Sequence, residues 1–454
     1  MSVADPISVS ERYPRLVHFF ARKTHIAPLV VFRIWFGSMM VISTIRFYYY
    51  GWIDQLYIQP RFFFSYVYFD WVKPLGPVGM YCLFVIMLFS AVGIMLGYRY
   101  RISTIVFFLT FTYVELIDKT NYLNHYYFVS LVAFLLIFIP AHRYCSLDAK
   151  RVGKSEQVPY FYLLVLQLQV GMVYCFAGIA KINSDWLLQA QPMKLWLGSL
   201  AYKPIIGPLF KFKFTSYLFS WAGMLYDLLI PFALLYKPTR VVAFIAVVVF
   251  HLLTWYLFPI GIFPWVMIGA ATIFLPLSFH LKLTKVIAPL FEPKNQTITF
   301  EVSKFGLKMS PYILSVFILF QLLIPFRSLA YPGDVLWTEE GYRFSWRVML
   351  TEKAGYASFE VVRPSSGKGE TIATYDYLTP QQEKMMATQP DMILQFAHYV
   401  RDQYQIEWNE IPEVYASSYV SMNGRRSKEL VDRTVDLAVE KRGWQHKTWV
   451  LFDE

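Results

Sequence analysis

The chain predicts a polytopic α-helical membrane protein of about nine transmembrane helices, with a small C-terminal α+β extracytoplasmic domain. Three observations lead there. Apolar residues make up 56% of the 454 positions and charged residues only 16%, outside the range of soluble globular chains. The mean hydropathy is +0.40. The apolar residues gather in runs close to the ~20 residues that cross a bilayer, until about Arg327, where charge and short alternation take over.

Met1 to Thr24 is polar and mixed in charge, without an apolar core and small-residue cleavage site, so no removable signal peptide is expected. Nine apolar runs follow: Ile26 to Ile45, Gly76 to Leu96, Ile102 to Ile117, Tyr126 to Pro140, Val158 to Ala180, Ser220 to Tyr236, Val241 to Phe258, Ile262 to Leu277 and Pro311 to Pro325. The shorter ones fit re-entrant or kinked segments as well as full spans. With a cytoplasmic N-terminus, Arg12, Arg15, Arg22, Lys23, Arg99, Arg101, Arg143, Lys150, Arg151 and Lys154 all lie on the cytoplasmic side, as the positive-inside rule requires. The net charge of +11 is thus spread over short loops as a topology signal and is not a nucleic-acid-binding face. An odd number of spans places the C-terminal domain on the non-cytoplasmic side, together with two polar clusters, Asp118 to His125 and Lys181 to Asp185.

The division is a transmembrane domain over 1–326 and an extracytoplasmic domain over 327–454. In the latter, Tyr356 to Val362 and Thr371 to Tyr377 flank Ser365-Ser366-Gly367-Lys368-Gly369, a hairpin pattern. Thr379-Pro380 and Gln389-Pro390 read as helix starts. Val414 to Met422, Asn423-Gly424 and Leu430 to Val439 suggest a second hairpin. Cys82, Cys145 and Cys175 all fall in or beside membrane runs, so no disulfide is expected in the C-terminal domain. The eight histidines lack metal-ligand spacing, and no metal site is expected. Asn295-Gln296-Thr297 matches a glycosylation acceptor on the side where it would not be modified.

Ionisable groups at or inside the bilayer are costly and tend to mark function. Lys181 ends the fifth run. A lysine is a base only as the neutral amine, a form that desolvation favours and a nearby carboxylate such as Asp185 opposes. The alternative is that Lys181 snorkels to the interface or pairs with Asp185. His125 and Asn124 can hold an oxygen of a bound aromatic diol or a developing oxyanion; alternatively, Asn124 caps the next helix. His251 lies inside an apolar run and must face protein or water. Arg33, Glu115 and Asp227 suit buried pairs that set helix register. Aromatic residues, at 19%, supply interfacial belts and suit a flat apolar pocket.

Six ordered motifs carry a family resemblance: Val31-Phe32-Arg33 with Phe36-Gly37; Gly93 to Gly97 with Tyr100 to Ser103; Asp118-Lys119-Thr120 with Asn124-His125; Ala177-Gly178 with Lys181 and Asp185-Trp186; Phe250-His251 with Ile260-Gly261 and Phe263; and Gly341-Tyr342 with Ser345-Trp346. In these the chain resembles the vitamin K-dependent gamma-glutamyl carboxylases and their bacterial relatives with the horizontally transferred transmembrane domain. The resemblance implies γ-carboxylation of protein glutamate, coupled to epoxidation of a reduced vitamin K (phylloquinol or menaquinol), with oxygen and carbon dioxide as co-substrates. It implies that Lys181 deprotonates the quinol, assisted by His125 and Asn124. By the same resemblance His251, Phe263 and Met349 line the quinol pocket, and Tyr342 and Trp346 lie near the glutamate entry. Implied partners are a glutamate-containing protein or peptide, the lipid bilayer and a membrane quinone reductase.

Leu123 and Tyr122 stand where the animal motif has asparagine and tryptophan, and Arg347 to Leu350 also departs. Animal members carry a longer lumenal part that holds the substrate propeptide, so a propeptide-dependent reaction is not implied. The alternatives are a quinol epoxidase without carboxylation, or a non-enzymatic membrane receptor or transporter. The expected location is a bacterial inner membrane with a periplasmic C-terminal domain, an endoplasmic reticulum membrane being the alternative.

Overall fold

The computed structural model describes residues 22–291 and 304–452. The polar leader, with Arg12 and Arg15, and the Asn295 acceptor sequence lie outside the described residues. A short antiparallel pair, β1 (Lys23–His25) with β2 (Gln157–Pro159), ties the start of α1 (Ala27–Tyr49) to that of α5. Then follow α2 (Gly76–Leu96), α3 (Tyr100–Ile117), α4 (Asn124–Phe138), α5 (Tyr160–Ala180), α6 (Lys213–Leu235), α7 (Arg240–Leu257), α8 (Phe263–Ala271), α9 (Leu277–Ile287) and α10 (Lys304–Leu323).

Every expected run has a helical counterpart, but they are not nine straight spans. Among the described residues, seven helices are long and apolar enough to cross a membrane: α1, α2, α3, α5, α6, α7 and the stretch Met309–Ala330, which begins within α10. The eighth run is broken, Phe263–Phe274 meeting Leu277–Phe291 at 109°. Proline disfavours a helical residue before it, and Leu275, preceding Pro276, is extended with ψ 157°. The 15-residue α4 is ~22 Å long at ~1.5 Å per residue, short of a ~30 Å hydrocarbon core.

Arg33 does not form the expected pair with an acid. Its guanidinium donates to the carbonyls of Ile94 (3.1 Å), Met95 (3.0 Å) and Cys145 (2.6 Å), so it closes the carbonyl end of α2. Gly37 lets α1 approach α2 there: a Cβ on it would stand 2.6 Å from the Met95 nitrogen. The first two motifs of the resemblance are therefore packing devices. Glu115 has no ion-pair partner among the described residues and lines a cavity of about 680 Å³ between α3, α4 and α10.

The C-terminal region forms a four-stranded antiparallel sheet in the order β4-β3-β5-β6, from β3 (Lys353–Arg363), β4 (Lys368–Ile372), β5 (Glu413–Met422) and β6 (Lys428–Glu429). Helices α11 (Pro380–Met386) and α12 (Pro390–Trp408) start at the expected Thr379-Pro380 and Gln389-Pro390, the first with a complete capping box between Thr379 and Gln382. The second hairpin returns only two residues, and Leu430 to Val439 is not a strand. Side chains take the backbone groups a longer ladder would use: the Val414 N–H donates to Asp436 Oδ1 (2.9 Å) and the Thr434 N–H to Asp432 Oδ1 (2.9 Å).

This sheet does not keep a core to itself. Phe359, Phe396, Val400 and Leu430 share one buried cluster with Phe64, Trp186, Met193, Leu197 and Phe210, which come from segments between the membrane helices. Polar contacts follow the same seam. Gln382 Nε2 donates to Asp118 Oδ2 (2.8 Å) and the Phe62 carbonyl (2.7 Å), and Lys119 pairs with Asp391 (2.7 Å). Both polar clusters and the C-terminal sheet thus lie at one end of the bundle.

Candidate active site

Lys181 is the first residue beyond α5, and its Nζ turns back along the helix to donate to the Ala177 carbonyl (3.2 Å) and to Asp227 Oδ2 on α6 (2.8 Å). Both side chains are only 8% exposed. Gly178 permits this pairing: a Cβ there would sit 2.9 Å from the Leu228 backbone nitrogen, so α5 and α6 touch beside Asp227. Trp186 forms the next wall, with Nζ 5.4 Å from its ring centre and its indole N–H donating to the Ser220 carbonyl (2.7 Å).

The alternative in which Lys181 pairs with Asp185 is not realised. After α5 the chain turns through Asn183, whose side chain accepts from the Trp186 N–H and starts a short helix, Ser184–Leu188. That turn points Asp185 at the C-terminal domain, where it accepts from Asn423 Nδ2 (2.7 Å) and pairs with Arg425. Sequence proximity named the wrong carboxylate, because the right one lies on another helix.

Lys181 and Asp227 open onto a cavity of about 520 Å³, within the ~300–1,000 Å³ usual for small-molecule sites. Its walls are otherwise nearly all apolar or aromatic, and include Phe263, Met349 and His251. The His251 Nε2 meets the Tyr174 hydroxyl at 2.9 Å, whereas Nδ1 is buried with no hydrogen-bond partner among the described residues. An orphaned buried nitrogen on a cavity wall is a costly feature that a ligand oxygen would satisfy.

Asn124 and His125 line a second cavity of about 340 Å³, and Ile260, Phe263, Val348 and Met349 belong to the walls of both. The Phe263 ring stands between the two histidines, its centre 5.7 Å from His125 and 5.6 Å from His251. Asn124 does not cap α4. Leu123 holds the cap position, and Asn124 Nδ2 donates instead to the Arg347 carbonyl (3.1 Å), while its Oδ1 accepts from the Tyr122 hydroxyl (3.1 Å). It fastens the helix to the strap that carries Val348 and Met349.

Tyr342 and Trp346 line neither cavity. Trp346 is fully buried beside Tyr127, ring centres 4.9 Å apart, and Tyr342 packs against the core shared with the C-terminal sheet. Their strap is strained: Glu339, Phe344, Trp346 and Met349 all have positive φ, between 50° and 62°, a conformation rare outside glycine. Nothing in residue type announces that strain. Asp227, Tyr174, Ile260 and Val348 are wall residues that sequence reasoning did not assign to a site. The sequence suits Asp227 to a buried pair, which it forms with Lys181, but does not mark it as part of a site.

Two family models match the chain: the HTTM domain over residues 21–279, and the lumenal domain of vitamin K-dependent gamma-carboxylase over residues 307–454. The chain belongs to the vitamin K-dependent gamma-carboxylase family. It is a membrane protein with transmembrane helices, in keeping with that family and with the seven long apolar helices among the described residues. No solved structure matches it. The two matches also join at the site, because the Lys181 and His125 walls come from the HTTM region and Met349 from the region matched by the gamma-carboxylase lumenal domain.

Proposed function

We propose that this chain is a vitamin K-dependent gamma-glutamyl carboxylase, in which oxidation of a quinol substrate to its epoxide drives carboxylation of a peptide glutamate by carbon dioxide. One observation carries the reading: a buried lysine–aspartate pair and an orphaned histidine nitrogen face one apolar cavity that shares a wall with the Asn124–His125 cavity. In this reading Lys181, Asp227 and His251 make the polar contacts to the quinol oxygens, and Phe263 and Met349 hold its ring system. When bound, the quinol supplies through its oxidation by oxygen a base stronger than any side chain. The apolar walls keep water from quenching that base. Asn124 and His125, across Phe263, offer hydrogen bonds to the oxygen chemistry.

The C-terminal domain is then extracytoplasmic, periplasmic in a bacterial inner membrane, where it meets a glutamate-bearing protein. A membrane quinone reductase returns the quinol. A second reading, quinol epoxidation without carboxylation, is favoured by one specific feature: Tyr342 and Trp346, the residues matched to the glutamate entry, reach neither cavity.

The test is an incubation of detergent-purified protein with reduced vitamin K, oxygen, labelled bicarbonate and a glutamyl peptide. Epoxide together with label in the peptide is expected. Epoxide without label selects the second reading, and neither product removes both.

A further inference from the structure

We propose that Arg46 binds the carboxylate of the substrate glutamate, whose side chain enters the cavity lined by Arg46, Asn124 and His125. The inference rests on the function proposed above and names a residue that recognises its peptide substrate. Arg46 lies in the last turn of α1 and lines that cavity of about 340 Å³. Among the described residues its guanidinium forms no ion pair and no hydrogen bond; it stands over the ring of Trp52, 5.4 Å from the centre. A contact with a ring face makes none of the N–H to oxygen bonds that a guanidinium's five donors can form. Other cations at this end of the bundle are already matched. Asp391 pairs with Lys119 and Arg343, Asp227 with Lys181, Asp185 with Arg425 and Glu339 with Lys353. Arg347 donates to Ser328 Oγ (2.9 Å).

The cavity is placed for a side chain that arrives from the C-terminal domain. Its walls come from the end of α1, the connection into α4, the connection between α7 and α8, and the strap that carries Val348 and Met349. All of these lie at the end of the bundle where the C-terminal sheet docks. Apart from Arg46, Asn124 and His125 the walls are mainly apolar, which suits the two methylenes of glutamate. Ile260, Phe263, Val348 and Met349 also line the Lys181 cavity, so a γ-carbon held here faces the quinol across a shared wall. The side chain reaches that wall without Tyr342 or Trp346, which line neither cavity.

Charge explains why a cation is needed at this point. A peptide glutamate is an anion near neutral pH, and a buried carboxylate without a partner is costly. In carboxylation the γ C–H bond breaks, its proton passes to the base that quinol oxidation supplies, and the electron pair left on the γ-carbon forms the new C–C bond to carbon dioxide. The side chain thus goes from one negative charge to two. A guanidinium fixed beside it offsets the charge that develops, and its planar fork fits a carboxylate edge.

The experiment compares wild type, Arg46→Met and Arg46→Lys in detergent, using a short peptide with one glutamate and the same peptide with glutamine in its place. The readouts are peptide affinity by fluorescence anisotropy and, with phylloquinol, oxygen and labelled bicarbonate, the KM for the glutamyl peptide and the ratio of fixed label to epoxide. Wild type should prefer the glutamyl peptide by roughly 10–100-fold. Arg46→Met should lose that preference, raise KM by a similar factor and lower the label-to-epoxide ratio, and Arg46→Lys should recover part of each. A residue that only supports the fold weakens both peptides alike, and one that only anchors α1 to lipid headgroups changes neither. A glutamate preference that survives in Arg46→Met, or is absent from a wild type that fixes label, therefore overturns the assignment and leaves the proposed function standing. Wild-type protein that fixes no label in the peptide brings down the carboxylase function and the assignment with it. Should Arg46→Met elute as aggregate, Arg46→Gln, equally uncharged, gives the same reading.

Discussion

Two lysines at the same end of the bundle look alike and are placed in opposite ways. Lys119 and Lys181 each follow the end of a membrane helix, each is nearly buried, and each pairs with an aspartate within 2.8 Å. Lys119 faces a network of ion pairs. Asp391 also binds Arg343 at 2.9 Å, and Arg343 contacts Gln389 as well, so the triad pins α12 of the C-terminal sheet to the loop before α4. Lys181 faces a cavity. Burial with a partner therefore does not distinguish a latch from a reactive group; open volume beside the pair does.

The comparison is broken most directly by replacing each lysine. Lys181→Ala should lower quinol oxidation by roughly 10³-fold or more while the protein remains monodisperse in detergent. Epoxide formation near the wild-type rate would put the chemistry elsewhere. His125→Ala, on the other side of Phe263, should cost roughly 10²-fold. Gly178→Ala tests position without touching a polar group. Its methyl meets the Leu228 backbone and separates α5 from α6, so a loss of about 10–100-fold is expected, with the quinol still bound. Unchanged turnover in that variant would show that the Lys181–Asp227 spacing is not critical.

Lys119→Met should act on stability alone, costing about 1–3 kcal/mol and leaving epoxide formation per folded molecule within twofold. Its pH signature is distinctive. Burial pushes the Lys119 ammonium down to about 8, outweighing the pull of Asp391. Burial also opposes the Asp391 carboxylate, but Arg343 and Lys119 together hold it well below the usual carboxylate range. The folded protein therefore binds the Lys119 proton less tightly than the unfolded chain, where lysine titrates near about 10.4. This group makes the protein more stable as pH rises from about 8 towards 10, and contributes no slope below that window. Unfolding midpoints across this range should rise more steeply in wild type than in Lys119→Met; equal slopes would refute the assignment. Asp391 contributes fully above about pH 4 and loses that contribution progressively as pH falls below it. The smallest effect is expected from Thr379→Ala, about 1 kcal/mol, because Gln382 keeps its contacts to Asp118 and Phe62.

Legibility in the sequence followed the range of the forces involved. Apolar runs located each membrane helix to within a few residues, except the early starts of α6 and α10, and Thr379-Pro380 marked a helix start to the residue. The break at Pro276 was local too, since it rests on one proline, but a 109° bend has no signature in hydropathy. The return strand after Asn423-Gly424 was misread because Asp432 and Asp436 compete for the backbone through their side chains. At the site, Lys181, His125 and His251 stand out as polar residues in or beside apolar surroundings. Their arrangement around Phe263 does not.

By itself, then, the sequence determined that the chain lies in a membrane, where its helices run and which few polar residues it carries there. Water exclusion acts on every residue separately, so those features survive in a linear reading. Only the tertiary structure decided that Lys181 meets Asp227, 46 positions away, rather than Asp185, four away. It also decided that Arg33 closes a helix, that Lys119 is a latch, and that Met349 reaches the Lys181 cavity when Trp346 does not. Pairing inside a low-dielectric core depends on which helices touch and at what height, set here by close approaches such as Gly178 on Leu228 and by the strained strap from Glu339 to Met349.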